Sequence, residues 1–285
     1  MGFGVIGAGR CYLHHQQHGS SCSGRTFFNL AFCSYLQLHF LNWASVPGGR
    51  FSNPPTTPSP NVRRYATRNC KMEKYLTELI DRMCDDSDQN MVAGYDSSTT
   101  ISWKATREAE KITEDFYIQD LIYFIEKEKN KKKRDKAYFI LSKIAKNIDN
   151  LEATKFLIDR IEKETDKYIL MAMLDRIADL NKPNGIDLAN IIKATENEKW
   201  QIRHSAIGAL KKTNDEIVEI TLLNILNSTN DKHNIFYCIS TLYNVGTIKA
   251  IPHLEQHLTS RTRDIKNGAE YAINEINNRI KSTNA

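Results

Sequence analysis

Acidic residues are missing from the first quarter of the sequence: residues 1–71 contain no Asp or Glu, although the chain of 285 residues has 34 of them. The same segment holds seven of the 39 Lys and Arg residues, which leaves 32 basic residues against 34 acidic ones in residues 72–285. This part therefore carries a net charge of −2, whereas the whole chain carries +5. Because a nucleic-acid-binding domain needs its basic charge on the folded part, net charge gives no support for that function.

Cysteines and long apolar runs are also scarce. Only Cys84 and Cys238 follow residue 71, which excludes a disulfide framework there. Cys238 falls within an apolar helical pattern, where a thiol behaves as a small buried hydrophobe, so a reducing compartment such as the cytoplasm is expected. The longest apolar stretch, residues 27–46, is broken by Asn29, Gln37 and His39 among others, so no membrane span is predicted.

Residues 1–71 are rich in glycine and proline. They hold eight of the 13 glycines and five of the seven prolines, a density that predicts an unfolded leader. Three interpretations stay open: upstream or added sequence ahead of a natural start at Met72, a disordered tail, or a mitochondrial presequence spanning residues 1–65. Glycines near the start disfavour the presequence, because they disrupt the amphipathic helix that import requires. The cytoplasm is therefore the expected location, with mitochondria as the alternative.

Two motifs in the leader resemble ligand sites. Gly4-Val5-Ile6-Gly7-Ala8-Gly9 is similar to the turn of dinucleotide-binding folds, but Tyr12 stands at the third glycine position and no strand–helix alternation follows. Cysteines and histidines between positions 11 and 22 have spacings suited to zinc, but no folded module surrounds them. We therefore predict no cofactor and no metal ion.

Residues 72–115 are predicted to form a helical cap or connector. Leu76, Leu79 and Ile80 follow a helical spacing, and a polar stretch then leads to a second short helix around Trp103. The apolar residues of such a segment cover the exposed end of a stacked array.

From residue 116 onward the chain divides into five units, each with two apolar-faced helices. The second helices share a spacing of three, four and three residues, with successive units displaced by 33, 36, 32 and 31 residues. The aligned positions are Arg134, Ala137, Leu141 and Ile144; Lys167, Leu170, Leu174 and Ile177; Arg203, Ala206, Leu210 and Thr213; Ile235, Cys238, Leu242 and Val245; and Lys266, Ala269, Ile273 and Ile276.

The first helices carry apolar stripes of their own, exemplified by Ile118, Leu121 and Ile125 in the first unit. One helix pair cannot bury both stripes, so neighbouring pairs must stack along a continuous core. Asn181-Lys182-Pro183-Asn184-Gly185 supplies one of the turns. We therefore predict an all-α fold, an α-solenoid of about five antiparallel helix pairs over residues 116–285.

The pattern resembles the HEAT-repeat family. The last unit carries the resemblance best, with Ala250-Ile251-Pro252-His253-Leu254 followed by Leu258, Asp264 and Ala269. It is similar to the short HEAT-like repeat of phycobilin lyases and many bacterial scaffold proteins. The resemblance implies a curved superhelix with a concave surface, whereas activity is left open because the repeat serves enzymes and adaptors alike.

Two sets of basic residues are candidate sites. Lys131, Lys132, Lys133 and Arg134 form the strongest basic cluster, where interleaved acids favour a solvated turn over a phosphate site. A cation also recurs at the start of the second helices, at Arg134, Lys167, Arg203 and Lys266. Pairing with turn acids and amides is the expected role of this row, and a ligand-facing ridge is the alternative.

Trp200 and Arg203 form a Trp-x-x-Arg fragment that is similar to part of the site in HEAT-like alkylpurine DNA glycosylases. No second tryptophan and no catalytic Asp can be matched. Metal-dependent HEAT-like hydroxylases use paired His-Glu dipeptides, which the sequence lacks.

The favoured hypothesis is a non-catalytic, monomeric scaffold that binds a protein or peptide along the groove of the second helices. The exposed candidates for this surface are Lys167, Trp200, Arg203, His204, Tyr243 and Lys266. The alternative is a nucleic-acid-binding protein, such as a glycosylase-like enzyme, that uses the basic positions and Trp200.

Overall fold

A computed structural model of the chain describes residues 74–88 and 96–283, with the side chain of residue 283 excepted. The predictions made for the leader, including the Gly4–Gly9 turn and the Cys/His spacing, lie outside the described residues.

Twelve α-helices form the described part of the chain, together with short 3₁₀ turns at Ser97–Thr99 and Ile248–Ala250. The helices are α1 (Lys74–Met83), α2 (Ile101–Ala109), α3 (Tyr117–Lys127), α4 (Lys131–Asn147), α5 (Leu151–Asp159), α6 (Lys167–Ile177), α7 (Ala189–Ala194), α8 (Trp200–Ala209), α9 (Glu216–Ser228), α10 (Lys232–Val245), α11 (Ile251–Glu255) and α12 (Arg263–Thr283). The described residues form no strand, and one isolated bridge joins Lys182 to Thr213. The predicted all-α class is confirmed.

From α3 onward the helices form five pairs in two layers. The first helices are α3, α5, α7, α9 and α11, and the second helices are α4, α6, α8, α10 and α12. Each second helix packs on the second helix of the next unit, and each first helix packs on its own partner. This is the packing of an α-solenoid, as predicted. Ahead of the pairs, α1 packs against α2 and α4.

Four of the five second helices place a small side chain at an equivalent buried position, and the second unit places Met173 there. The seventh residue of each second helix is fully buried, and these residues are Ala137, Met173, Ala206, Cys238 and Ala269. Burial raises the pKa of the Cys238 thiol to about 12, so this group behaves as a neutral, apolar core residue. The core therefore runs from unit to unit, as the apolar stripes predict.

The structure corrects the alignment of the second unit. Arg134, Arg203 and Lys266 are each the fourth residue of their helix, whereas Lys167 is the first residue of α6 and Leu170 is the fourth. The spacing of three, four and three also fits Leu170, Met173, Ile177 and Leu180, so apolar periodicity alone cannot distinguish two registers one turn apart. Lys167 therefore does not belong to the row of cations.

The ends of the second helices are fixed by local chemistry. Asn130, Asp166 and Asp231 are the N-caps of α4, α6 and α10. Their side chains accept hydrogen bonds from backbone N–H groups in the first turn of each helix. The N-cap of α8 is Lys199, which has no acceptor to offer. In the predicted turn, Gly185 adopts a φ of +93°, a left-handed conformation that favours glycine.

Candidate functional site

Aromatic side chains dominate the exposed apolar surface of the second-helix layer. Among the described residues, every large apolar side chain exposed on a second helix is aromatic; these are Tyr168, Trp200, Phe236, Tyr237, Tyr243 and Tyr271. On the first helices the exposed set is Tyr123, Leu151, Ile217 and Ile220, which is mostly aliphatic. Exposed Trp and Tyr are the residues most often responsible for binding energy at protein interfaces. The two layers therefore differ in the chemistry that they offer to a partner.

An aromatic cluster forms where α8 and α10 begin, and it consists of Trp200, His204, His233 and Tyr237. The His204 ring stacks on Tyr237 with a centroid separation of 4.6 Å and an interplanar angle of 22°. Its centroid lies 5.3 Å from Trp200 and 6.0 Å from His233. Trp200 itself is 56% exposed. The exposed indole therefore rests on a packed aromatic base.

The structure corrects the expected exposure of His204, which is only 5% exposed because α10 packs against this part of α8. Its Nε2 lies 2.9 Å from Asn234 Oδ1, which also accepts from Arg203 Nε at 3.3 Å. Because Asn234 Oδ1 is the acceptor in both contacts, Nε2 of His204 must be the donor, which assigns the imidazole proton to Nε2. Burial lowers the pKa of His204, so the ring is neutral at pH 7. His204 therefore supports the surface from beneath and is not part of the exposed surface.

Arg203 lies beside the aromatic cluster and holds the turn before α8. Its Nη1 donates to the carbonyl oxygens of Asn197 at 2.9 Å and Glu198 at 3.4 Å, and its Nη2 lies 3.7 Å from Asp231. Arg134, in the first unit, makes the equivalent contacts with the turn before α4. Its Nη1 donates to the Glu128 carbonyl oxygen at 3.1 Å. Both arginines thus make the turn contacts that the sequence predicts for the row of cations.

The basic cluster is compensated by acids. Arg134 forms a two-pronged ion pair with Glu164 at 2.9 and 3.0 Å, and this hydrogen bonding raises the pKa of Arg134. The three lysines pair with one carboxylate each: Lys131 with Asp166, Lys132 with Asp86 and Lys133 with Asp81. A phosphate would have to compete with these carboxylates. The cluster therefore does not favour the nucleic-acid alternative.

The remaining predicted residues lie elsewhere on the second-helix layer. Lys167 Nζ lies 4.7 Å from the centroid of the Tyr168 ring at the start of α6. Tyr243 is exposed near the end of α10, where its carbonyl accepts from Arg279 Nη1 at 2.7 Å. Lys266 is exposed on α12. The structure therefore brings Trp200, Arg203 and His204 together and places Lys167, Tyr243 and Lys266 on other parts of the layer.

Sequence reasoning missed four residues of this region. Tyr168 and Phe236 are exposed aromatics, Tyr237 is the stacking partner of His204, and Asn234 is the acceptor that His204 and Arg203 share. The sequence contains a usable signal for Tyr237, since it lies one turn after His233 in a helix whose start is marked by Asp231. No local pattern predicts the contact of Asn234 with Arg203, because the two residues belong to different units.

A cleft between the turns at Asn181 and Asn214 contains a second unpredicted feature. The cleft has a volume of about 820 Å³, and its lining includes Lys182, Lys212 and Asn244. Lys182 is fully buried, and its Nζ donates to the carbonyl oxygens of Ile177 at 2.9 Å and Leu180 at 2.7 Å. Burial lowers the pKa of Lys182 to about 7. The lysine thus caps the end of α6 from within the turn that follows it.

The described residues also lack the features of a metal site and of a membrane span. No group of three or more His, Cys, Asp or Glu side chains is arranged there to hold a metal ion. None of the helices in this part combines the length and apolarity that crossing a bilayer requires.

Comparison with known proteins gives structural likenesses alone. Neither a protein-family model nor a curated protein matches the sequence. A designed armadillo repeat protein is similar with a TM-score of 0.43 and 14% identity, covering 70% of this chain and 99% of that one. Two engineered proteins have TM-scores of 0.45, with 16% and 15% identity; the matches cover 72% and 71% of this chain and 97% and 58% of theirs.

Proposed function

We propose that the helical-repeat array is a non-catalytic scaffold that binds a protein or peptide on its second-helix layer, centred on Trp200. The observation that carries the proposal is the uniformly aromatic character of the exposed apolar side chains on this layer. In this proposal the repeats are HEAT-like, the layer forms the concave surface, and Lys167, Tyr243 and Lys266 extend the contact area beyond the aromatic cluster.

The packing around Trp200 supports a binding role. Its indole is exposed, yet His204 lies beneath it, stacked on Tyr237 and hydrogen-bonded to Asn234. A side chain whose neighbours are already ordered loses little conformational freedom when a partner covers it. Large aromatic area with a small ordering cost is what a binding hot spot requires.

The proposal is tested by selecting peptides from a random display library on the full chain and measuring their affinity for variants. We expect Trp200→Ala and Tyr237→Ala to weaken the selected peptides by about 10-fold or more, the loss that removal of an aromatic hot spot causes. Tyr123→Ala is the matched control, because Tyr123 is an equally exposed aromatic on the first-helix layer. Peptides that bind all three variants as well as the natural chain would refute the placement of the site.

A further inference from the structure

The exposed sides of α8 and α10 carry almost no charge of either sign. With histidine counted as neutral, α8 has 10 residues and one charged side chain, Arg203, and α10 has 14 residues and one charged side chain, Lys232. By contrast α4, with 17 residues, carries seven cations and Asp135. Arg203 is itself directed to the turn before α8, where the carbonyl oxygens of Asn197 and Glu198 accept its hydrogen bonds. The surface that α8 and α10 share is therefore uncharged.

The charges at the starts of these two helices cancel in pairs. Glu198 directly precedes Lys199 ahead of α8, and Asp231 directly precedes Lys232 at the start of α10. Lysines at positions 211 and 212 follow the last turn of α8 and mark the end of the uncharged surface. A charged side chain of a partner would lose its water on a surface that offers it no counter-ion, which costs free energy. The segment that covers this surface is therefore expected to be uncharged.

Exposed aromatic rings recur along this surface at a regular distance. Phe236, Ser240 and Tyr243 are separated by four and three residues, so they lie on one side of α10, and both aromatic residues are exposed. Seven residues of an α-helix span about 10 Å. One turn of a polyproline II helix spans about 9 Å. A segment in that conformation therefore brings an equivalent side chain to each ring in turn.

The polar side chains between the rings have free hydrogen-bonding capacity. Gln201 and Ser205 share the exposed side of α8 with Trp200, and Ser240 lies on the exposed side of α10. None of the side chains of Gln201, Ser205 and Ser240 forms a hydrogen bond with another described residue; the bond from Asn244 goes to the Ser240 main-chain carbonyl. A partner that covers these groups removes their water, so it must supply hydrogen-bonding groups of its own.

We infer that the partner on this surface is an uncharged, proline-rich segment in the polyproline II conformation. Its rings pack on Trp200, Phe236 and Tyr243, and its carbonyl oxygens accept hydrogen bonds from Gln201 and Ser240. This conformation makes no internal hydrogen bonds and proline has no N–H, so the main chain brings acceptors without adding donors that need a partner. The inference rests on the proposed function and adds the chemistry of the partner.

Two other occupants fit the surface less well. An apolar helix would cover the same rings, but its main-chain groups are already bonded, so the polar side chains between the rings would stay unpaired. A single-stranded nucleic acid would stack on the rings, but its phosphates would find no cations between the two helix ends.

The experiment reads the composition of peptides selected on the full chain from a random display library, with clones sorted by their loss of binding to Trp200→Ala. We expect the Trp200-dependent clones to be enriched in proline and depleted in Asp, Glu, Lys and Arg relative to the unselected library. Trp200-dependent clones that are charged, or that carry no excess of proline, would overturn the inference and leave the proposed function standing. An absence of Trp200-dependent clones would remove both.

Variants then test the contacts of a selected proline-rich peptide. Gln201→Glu should weaken binding about fivefold or more, because a covered carboxylate has no hydrogen to donate to a carbonyl oxygen. Gln256→Glu, at an exposed position after α11, is the matched control and should change nothing. Tyr243→Ala should weaken binding about 10-fold, whereas Tyr123→Ala on the first-helix layer should not. Unchanged affinity for both Gln201→Glu and Tyr243→Ala would contradict the assigned contacts.

Salt dependence separates this partner from a charged one. We expect the affinity of the selected peptide to change by less than about twofold between about 50 and 500 mM salt, because it makes no ion pairs. A thymidylate oligonucleotide is the probe for nucleic acid, whose binding falls steeply as salt rises. Trp200-dependent binding of this oligonucleotide, with no proline-rich peptide selected, would assign the surface to nucleic acid and overturn the inference.

Discussion

Replacing Lys182 by methionine tests how the turn between α6 and α7 is stabilised. The amine is fully buried and donates to two carbonyl oxygens at the end of α6. Burial lowers the pKa of Lys182 to about 7; the positive charge of Lys212 acts in the same direction, and the negative charge of Asp179 opposes it. A lysine in the unfolded chain titrates near pH 10.4. Folding therefore displaces a proton from this amine between the two pH values.

The sign and size of the effect follow from proton linkage. Between pH 7 and about pH 10 the unfolded chain holds one more proton than the folded chain, so the free energy of unfolding rises with pH by about 1.4 kcal/mol per pH unit. Over the whole interval the contribution is about 5 kcal/mol, fully present above pH 10.5 and lost as the pH falls to 7. The two carbonyl acceptors favour the ammonium form, so this figure is an upper limit.

Urea unfolding of the natural chain and of Lys182→Met between pH 6.5 and 9.5 measures the contribution. Subtracting the two free energies of unfolding removes every other titrating group that the variants share. We expect the difference, natural chain minus variant, to rise by about 1 kcal/mol per pH unit above pH 7.5. Lys155→Met, at an exposed position, should give a difference that does not change with pH. A flat difference for Lys182→Met as well would refute a displaced proton at this site.

Three further changes test the packing and the helix ends by thermal or chemical unfolding. Lys199→Asp should stabilise the array by about 1 kcal/mol, because it supplies the N-cap that α8 lacks, and a lower midpoint would contradict this. Glu164→Ala should destabilise by about 3 kcal/mol, because it leaves the largely buried Arg134 without its carboxylate, and an unchanged midpoint would show that water replaces the pair. Ala206→Leu should destabilise by about 1–3 kcal/mol through overpacking against the neighbouring second helices, whereas the same change at exposed Ala189 should have little effect.

Local periodicity was sufficient to predict the fold. The apolar stripes of both helix sets recur because each helix must bury one side, and residues such as Leu121, Leu157 and Leu222 are indeed fully buried. Periodicity was not sufficient for the register of α6, where two alignments fit, one through Leu174 and one through Met173 and Leu180. The N-cap Asp166 settles that register, and it is a signal that a sequence reading can use.

The candidate site was predicted less completely, because its contacts join residues distant in sequence. His204 has the sequence context of an exposed helix start, and its burial depends on α10, some 30 residues later. Lys182 stands in a polar turn between Asn181 and Pro183, a context that predicts exposure, yet the neighbouring turn at Lys212 covers it. Neither contact has a local signature, so the packing of adjacent units decides both.

The two basic regions of the second-helix layer show why a charge run needs its acids located before it is given a function. Lys131, Lys132 and Lys133 form the denser run, and the acids that neutralise them lie 35 to 52 residues away in the sequence, two of them before α2 and one at the N-cap of α6. Lys199 and Lys232 are far sparser, and each directly follows a carboxylate in the sequence, Glu198 and Asp231. Since the field at a surface depends on charges near in space, neither set of lysines indicates a positive surface by itself. The exposed aromatic side chains of the second-helix layer, and not its charge, therefore carry the proposed binding role.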